Sequence, residues 1–237
     1  DPQSINLVVY SRNSPLKYIG PSGKYFVGTD GKRVKVKYHR NKDGEITGIK
    51  KLGKNATSDL KRMAGLISEK SSGISLATFN EMSDSKTRIN FKIDDRPQND
   101  KNDLGYGLLG LHQAHDKNGK ALGWVGDGST GKFDGTPEYI QGKDGTLVYK
   151  EATVTIFAGN IDNSELQAQQ QLYGDPQISK EDVIVGVFTH EGDHNTNPAA
   201  ITAIRGRQEG FTNNINVEDS ADEAERIAHE QIRRNRP

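Results

Sequence analysis

The chain contains no cysteine among its 237 residues, which excludes disulfides, thiolate zinc ligands and a cysteine nucleophile. It also lacks any run of about 18 apolar residues, so no segment is predicted to cross a membrane. No excess of positive charge is present, because 32 Lys and Arg residues balance 32 Asp and Glu residues. This balance argues against a nucleic-acid partner.

Hydrophobic residues are also scarce, at 32% of the chain, whereas glycine is abundant, with 26 residues. This composition predicts a loop-rich, well-solvated protein with one medium-sized domain and at most a small appendage. No signal peptide is visible, and the first residue is Asp1 rather than Met. We therefore expect the sequence to be a piece of a longer polypeptide.

Hydrophobic periodicity predicts a mixture of strands and helices along the chain. Turn signals and alternating apolar residues predict a small β meander within residues 24–55. The other predicted elements are a helix over 57–71, strands over 88–94 and 152–158, and a short helix over 165–172. Residues 95–146 are rich in Gly, Asp and Asn and are predicted to form a long loop. The pattern indicates an α+β fold with a small mixed or antiparallel sheet packed on helices.

A buried helix is predicted over residues 180–196. Ser179 and Asp182 have the spacing of a capping box, in which the two side chains satisfy free backbone N–H groups at the start of a helix. A nearly continuous apolar run follows, over residues 183–188. Pro198 ends the helix, because the residue before a proline avoids helical backbone angles.

The end of this helix carries the sequence His-Glu-Gly-Asp-His, an HExxH motif, at residues 190–194. His190 and His194 lie four residues apart, so both imidazoles project from one helix face and can hold one zinc ion per chain. Zinc lowers the pKa of a bound water to roughly 7, and Glu191 is placed to take the proton. The motif predicts a zinc-dependent peptidase. The alternative is two surface histidines on an amphipathic helix.

A second helix is predicted from residue 217 to residue 229. Its alanines form an apolar stripe that permits close approach to another helix. The neighbouring stripe consists of polar side chains at helical spacing: Glu218, Asp222, Glu225 and His229. Catalytic zinc usually has three protein ligands, and the residues alone leave Glu218, Glu225 and His229 open as the third. His229 is alternatively a donor that stabilises the oxyanion of the reaction.

The spacing of Glu218 and Asp222 resembles the ExxxD pattern of the gluzincin metallopeptidases. This resemblance implies a zincin-like domain in which Glu218 is the third zinc ligand and Asp222 orients His190 from behind. Metzincins fit less well, since Asn197 stands where that family's motif has Gly. Peptide deformylases share an HExDH motif, but they take a ligand from a cysteine that this chain lacks.

Residues 1–23 resemble the segment that closes the Rhs (YD-repeat) core, and the similarity is clearest over Asn13-Ser14-Pro15-Leu16-Lys17-Tyr18-Ile19-Gly20-Pro21-Ser22-Gly23. The match covers about a tenth of the chain. It departs from the family pattern at Ser14 and at Gly20, where the family has the Asp used in autoproteolytic release.

The Rhs resemblance implies an architecture and a setting. Residues 1–23 are the end of the repeat core, 24–55 a β meander or linker, and 56–237 a zincin-like metallopeptidase toxin domain. It further implies a bacterial origin, an Rhs shell in the parent polypeptide, secretion or delivery into a target cell, and a cognate immunity protein. Protein or peptide is the expected substrate.

Two other functions remain open. The first is a toxin of another class, either a nuclease or a glycan hydrolase, and a nuclease would draw on His112 and His115 in the glycine-rich region. A non-catalytic binding module would use residues 95–146 as its contact surface.

Overall fold

The computed structural model describes residues 25–142 and 145–236. The Rhs-like segment and Gly20 therefore lie outside the described residues. The described part is a mixed α+β structure with six α-helices and small sheets. This confirms the predicted fold class at that level.

Ten strands and six α-helices make up the described regions. The strands are β1 (Tyr25–Phe26), β2 (Val36–Arg40), β3 (Ile46–Leu52), β4 (Arg88–Ile93), β5 (Gly110–Ala114), β6 (Trp124–Val125), β7 (Lys132–Phe133), β8 (Tyr139–Gln141), β9 (Leu147–Tyr149) and β10 (Glu151–Ile156). The helices are α1 (Ser58–Lys70), α2 (Gly73–Asp84), α3 (Asn163–Leu172), α4 (Lys180–Thr196), α5 (Pro198–Gln208) and α6 (Glu218–Asn235). A short 3-10 helix, Ala158–Asn160, follows β10.

The central sheet has the strand order β1-β4-β10-β5. The first three strands are parallel, and β5 runs antiparallel to β10 at the edge. The expectation of one long loop over residues 95–146 is therefore wrong, because this region contains an edge strand and three short strands. The sequence of β5, Gly-Leu-His-Gln-Ala, has little intrinsic strand preference. Hydrogen bonding to β10, whose sequence strongly favours a strand, stabilises the extended conformation of β5.

The predicted N-terminal meander also needs correction. Strands β2 and β3 form an antiparallel hairpin, but Tyr25 and Phe26 pair with β4 in the central sheet. Phe26, Val34 and Ile46 are almost fully buried in the same hydrophobic core as helix α1. The proposed boundary between 24–55 and 56–237 stays a prediction.

Helix α4 occupies the centre of the main core. Its bounds, Lys180–Thr196, agree with the predicted 180–196, and the capping box of Ser179 and Asp182 is present. The run Val183–Phe188 is buried on nearly all sides. Hydrophobic contact around the whole helix circumference explains why its sequence is almost uniformly apolar before the motif.

Helix α2, which the sequence analysis missed, packs against α4. Ser75 of α2 and Thr189 of α4 share a buried hydrogen bond of 2.8 Å. A Cβ at position 192 would collide with Thr78 Cγ2. The close approach of these two helices thus explains the glycine inside the HExxH motif.

The second missed helix, α5, begins immediately after α4. Asn197 ends α4 and caps α5 by accepting hydrogen bonds from the N–H groups of Ala199 and Ala200. Pro198 takes the first helical position, where its missing N–H costs nothing. The proline therefore does end α4, as predicted, but it also starts another helix. Within the described ranges, no helix combines the length and apolar character needed to cross a bilayer.

Candidate metal centre

Three side-chain atoms from two helices meet at the end of α4. His190 Nε2 lies 3.1 Å from His194 Nε2, and Glu218 Oε2 lies 3.2 Å from each of these nitrogens. Tetrahedral zinc bonds of about 2.0–2.1 Å place ligand atoms about 3.3 Å from one another. The spacing of the three atoms therefore fits a zinc ion. In the described part of the chain, these residues form the group that can hold a metal.

The surroundings of the three atoms are acidic. Burial alone would lower the pKa of His190, but Glu218 and Glu225 outweigh it and raise that pKa to about 11. The pKa of Glu218 is held well below its usual range, first by His190 and then by His194. Several carboxylates around two imidazoles favour any cation at this place, whether a proton or a metal ion.

Helix α6 is tied to α4 beside the metal centre. Ser220 Oγ donates a 2.6 Å hydrogen bond to Asp193 Oδ2, and Asn197 Nδ2 donates to both residues. Ser220 lies two residues after Glu218, so this contact fixes the start of α6 against the end of α4. The position of the Glu218 carboxylate then follows from the pairing of the helices.

A loop anchored by Arg207 supports the first turn of α6. The N–H of Val217 donates a 2.9 Å hydrogen bond to the carbonyl of Gly128. Arg207 is 8% exposed and donates to the carbonyls of Gly128, Gly131 and Ile215. A Cβ at position 128 would lie 2.5 Å from Glu218 Cγ. Glycine at 128 therefore leaves the space that Glu218 occupies.

Glu191, the predicted base, lies deep in the site. It is 7% exposed, and burial raises its pKa above the usual carboxylate value, with His194 and His190 opposing this change. A Cβ at Gly110 would stand 2.5 Å from Glu191 Oε1 and 2.6 Å from Val187 Cγ1. The absence of a side chain at Gly110 lets the Glu191 carboxylate approach the edge strand β5.

The remaining candidates on α6 lie behind His190. Asp222 Oδ1 and Glu225 Oε2 are each 3.4 Å from His190 Nδ1, the ring nitrogen that faces away from the other two ligand atoms. His229 is 4% exposed, and its Nε2 lies 3.7 Å from Glu225 Oε1. The structure therefore brings Glu218 to the two Nε2 atoms and places Glu225 and His229 on the far side of His190.

A cavity of about 1120 Å³ opens in front of these residues. The metal centre, Glu191 and the successive residues 109–113 of the β5 region line it. Apolar side chains line much of the rest, and three of them are strongly exposed: Leu104 at 60%, Leu108 at 38% and Leu172 at 71%. The cavity is thus a partly apolar cleft that borders the edge strand and the metal centre.

No protein-family model, curated protein or solved structure matches this chain significantly. The interpretation of the site therefore rests on its own residues and geometry.

The two histidines proposed for a nuclease do not form a pair. His112 is packed against Tyr149, with ring centroids 5.2 Å apart, and burial lowers its pKa to about 3. His115 instead shares a 2.9 Å hydrogen bond with Thr153. The two imidazoles therefore have different surroundings, and burial favours the neutral form of His112 at the cavity wall.

Several residues that shape the site were not predicted from the sequence, among them Gly110, Gly186, Tyr173 and Ser220. Gly186 did carry a usable signal. A glycine in an apolar helix lowers helix stability and marks a position where another group approaches closely. Here its spacing of four residues from His190 places that approach on the helix face that carries the two histidines.

Proposed function

We propose that this chain is a zinc-dependent endopeptidase. The observation that carries the proposal is the cluster of His190 Nε2, His194 Nε2 and Glu218 Oε2, all within 3.2 Å of one another. Two imidazoles and one carboxylate are the ligand set of many zinc peptidases. The arrangement also leaves the cavity side of the cluster open to a substrate.

His190, His194 and Glu218 would hold the zinc ion. When bound, zinc would supply a Lewis acid that polarises the scissile carbonyl and makes water a better nucleophile at neutral pH. The donor chemistry fits this role, because nitrogen and carboxylate ligands are those that zinc prefers, and the chain has no cysteine to close the site as a structural centre.

Glu191 is the proton carrier in this proposal. Its carboxylate would accept a proton from the attacking water and return it to the amine that leaves. Burial favours the protonated form of Glu191, which brings its proton affinity nearer to that required of a general base at neutral pH. Gly110 lies directly against this carboxylate, so β5 limits its movement on that side.

The cleft geometry supports a peptide substrate. In the described residues, β5 is the last strand of the central sheet, and its residues Gly110–Gln113 line the cavity. An extended peptide can add to such an edge by backbone hydrogen bonds. The apolar side chains around the cavity, including Leu108 and Leu172, favour substrates with hydrophobic residues near the cleaved bond.

A zincin-like fold is part of the proposal. The features that support it are the mixed sheet with an antiparallel edge strand, the HExxH helix beneath it, and a C-terminal helix that brings a carboxylate to the two histidines. The ligand spacing from the second histidine to Glu218 agrees with the gluzincin resemblance.

The biological setting depends on the Rhs resemblance of residues 1–23 alone. We propose that the domain is the C-terminal toxin of an Rhs-type bacterial protein, which would be delivered into a target cell and neutralised by a cognate immunity protein in the producer. Cleavage of a protein in the target cell would be the toxic activity. Co-expression of the cognate immunity protein should restore the growth of cells that express the toxin.

Elemental analysis and a Glu191→Gln variant test the enzymatic proposal. The purified wild type should contain one zinc per chain and cleave an unstructured protein such as casein, and a chelator should abolish cleavage. Glu191→Gln should keep the zinc and lose activity by a factor of about 10²–10⁴. Glu181→Gln, in the first turn of the same helix, is the matched control and should stay active.

The same measurements distinguish the other functions. A wild-type chain that binds no zinc after dialysis would favour a binding module. Cleavage of plasmid DNA or of a glycan, with Glu191→Gln fully active, would point to another toxin class. Either result overturns the peptidase proposal.

A further inference from the structure

The proton on Nδ1 of His190 has two carboxylates within reach. Asp222 Oδ1 and Glu225 Oε2 are both 3.4 Å away, and the nitrogen is buried without a well-oriented hydrogen bond among the described residues. A zinc-bound histidine normally donates its other N–H to a carboxylate or carbonyl, which fixes the tautomer and the ring orientation. Distance does not decide which acid does so here.

Exposure separates the two acids. The Asp222 side chain is 70% exposed, whereas the Glu225 side chain is 14% exposed. Water competes for hydrogen bonds to an exposed carboxylate, and thermal motion of the side chain further weakens the contact. A buried carboxylate keeps its position and acts through a lower local dielectric.

Glu225 is also held from its other side. His229 Nε2 lies 3.7 Å from Glu225 Oε1, so the two carboxylate oxygens face two different imidazoles. His229 is 4% exposed, and both of its ring nitrogens lack hydrogen-bond partners among the described residues. A buried imidazole in this state is costly unless a nearby acceptor takes its proton, and Glu225 is the acceptor that it faces.

The fold makes room for this arrangement on both sides of His229. Tyr173 packs over the imidazole, with ring centroids 4.1 Å apart and an angle of 31° between the planes. A Cβ at position 186 would lie 2.5 Å from His229 Nε2 and 3.2 Å from Glu225 Cγ. Glycine at 186, one helical turn before His190, therefore permits the contact between α4 and this part of α6.

We infer that Glu225, not Asp222, is the residue that positions His190, and that His229 in turn positions Glu225. Glu225 accepts the Nδ1–H of His190 on one oxygen and the Nε2–H of His229 on the other. This arrangement leaves Nε2 of His190 unprotonated, so that its lone pair would be free to bind a metal ion. The inference rests on the proposed zinc site, and it assigns Asp222 no role in metal binding.

Zinc affinity measured by competition with a chromophoric chelator tests the assignment. Glu225→Ala in the full chain should weaken zinc binding by about 10–100-fold. Asp222→Ala is the matched control, since it removes a carboxylate at the same distance from the same nitrogen, and should leave the affinity unchanged. Glu225→Gln retains a carbonyl acceptor, so its affinity should lie between those of the wild type and Glu225→Ala.

Two further variants address His229. Gly186→Ala should displace the imidazole and lower zinc affinity in the same direction as Glu225→Ala. His229→Gln keeps a donor and should be less impaired than His229→Ala. Thermal unfolding of the metal-free proteins shows whether a variant loses zinc affinity because it misfolds. If Glu225→Ala misfolds, the zinc affinity of Glu225→Gln tests the inference instead, because this substitution preserves side-chain volume.

Several outcomes would overturn the inference. The inference fails, while the proposed zinc site stands, if the wild type binds zinc and Glu225→Ala binds it equally well. The same holds if Asp222→Ala loses as much zinc affinity as Glu225→Ala. It also fails if Glu225→Gln is no better than Glu225→Ala. A wild-type chain that binds no zinc would overturn the proposed function and this inference with it.

Discussion

Ser220 donates a 2.6 Å hydrogen bond to Asp193, and this contact joins the helix that carries two candidate zinc ligands to the helix that carries the third. Asp193 is one of the two variable positions within the HExxH motif. Its carboxylate faces α6 rather than the cavity, so its role is to set the distance between the two helices. The geometry of the candidate metal centre thus depends on a pair of polar side chains outside it.

Ser220→Ala should loosen this junction. Loss of one hydrogen bond should lower the free energy of unfolding by about 1 kcal/mol. Zinc affinity should fall by about tenfold, because Glu218 is then held less firmly. Chelator competition and urea unfolding measure the two effects. Ser68→Ala removes a hydroxyl that bonds within α1 at a distance from the site, and it should leave zinc affinity unchanged. Equal zinc affinity in Ser220→Ala and the wild type would contradict the prediction.

Glu218→Ala should remove the third ligand. We expect zinc affinity to fall by more than the roughly 100-fold that marks the upper range for residues behind the ligands. Zinc at 100 times its dissociation constant stabilises the folded state by about 2.7 kcal/mol, so added zinc should raise the melting temperature of the wild type but not of the variant. Asp219→Ala changes the next, exposed carboxylate and should retain the zinc-induced shift. A preserved shift in Glu218→Ala would require another third ligand.

A buried charge cluster at the other end of α4 should govern stability in acid. Asp182 is 2% exposed and pairs with Lys70 at 3.1 Å and with Arg236 at 2.8 Å. Burial alone would raise the pKa of Asp182, but hydrogen bonds from the Ser179 N–H, Lys70 and Arg236 hold it below the usual value.

The lowered pKa of Asp182 determines the sign of the pH effect. Its contribution is fully present above the unfolded pKa of about 3.9 and is lost as pH falls through the lower folded value. Asp182→Asn should therefore lower the free energy of unfolding by about 1–3 kcal/mol at pH 7. The difference in unfolding free energy between the variant and the wild type should become smaller below a pH of about 4. Urea unfolding of the metal-free proteins across this range measures it. Glu181→Gln, one residue earlier, should show the same dependence of unfolding free energy on pH as the wild type. A difference between Asp182→Asn and the wild type that does not change with pH would contradict the role given to the Asp182 charge.

The sequence could predict those parts of the site that depend on local chemistry. The capping box at Ser179, the apolar run and Pro198 together predicted α4 from about residue 180 to about residue 196, in agreement with its bounds, and the spacing of the two histidines placed them on one face. Strand β5 was not predictable in this way, because Gly110–Ala114 contains no β-branched residue and takes its conformation from β10. The local sequence pattern of β5 contains no information about its pairing with β10.

For a related reason, the sequence could not predict which acid on α6 positions His190. Asp222 and Glu225 are three residues apart and occupy nearly the same helix face, so periodicity treats them alike. Their exposure differs because α6 approaches α4 closely at Gly186. That contact is a property of two packed helices, and it brings Glu225 into the interface while Asp222 stays at its margin.

Gly110→Ala should separate catalysis from metal binding. The added methyl group would stand 2.5 Å from Glu191 Oε1 and 2.6 Å from Val187 Cγ1, so the carboxylate or the edge strand must shift. A displacement of about 1 Å in a catalytic group costs roughly 100-fold in rate. Zinc affinity should be unchanged, because no ligand atom is touched. Gly65→Ala in α1 is the control, since nothing lies within 4 Å of its added Cβ, and it should stay active with slightly higher stability. Full peptidase activity in Gly110→Ala would mean that Glu191 does not act from the position that it occupies beside β5.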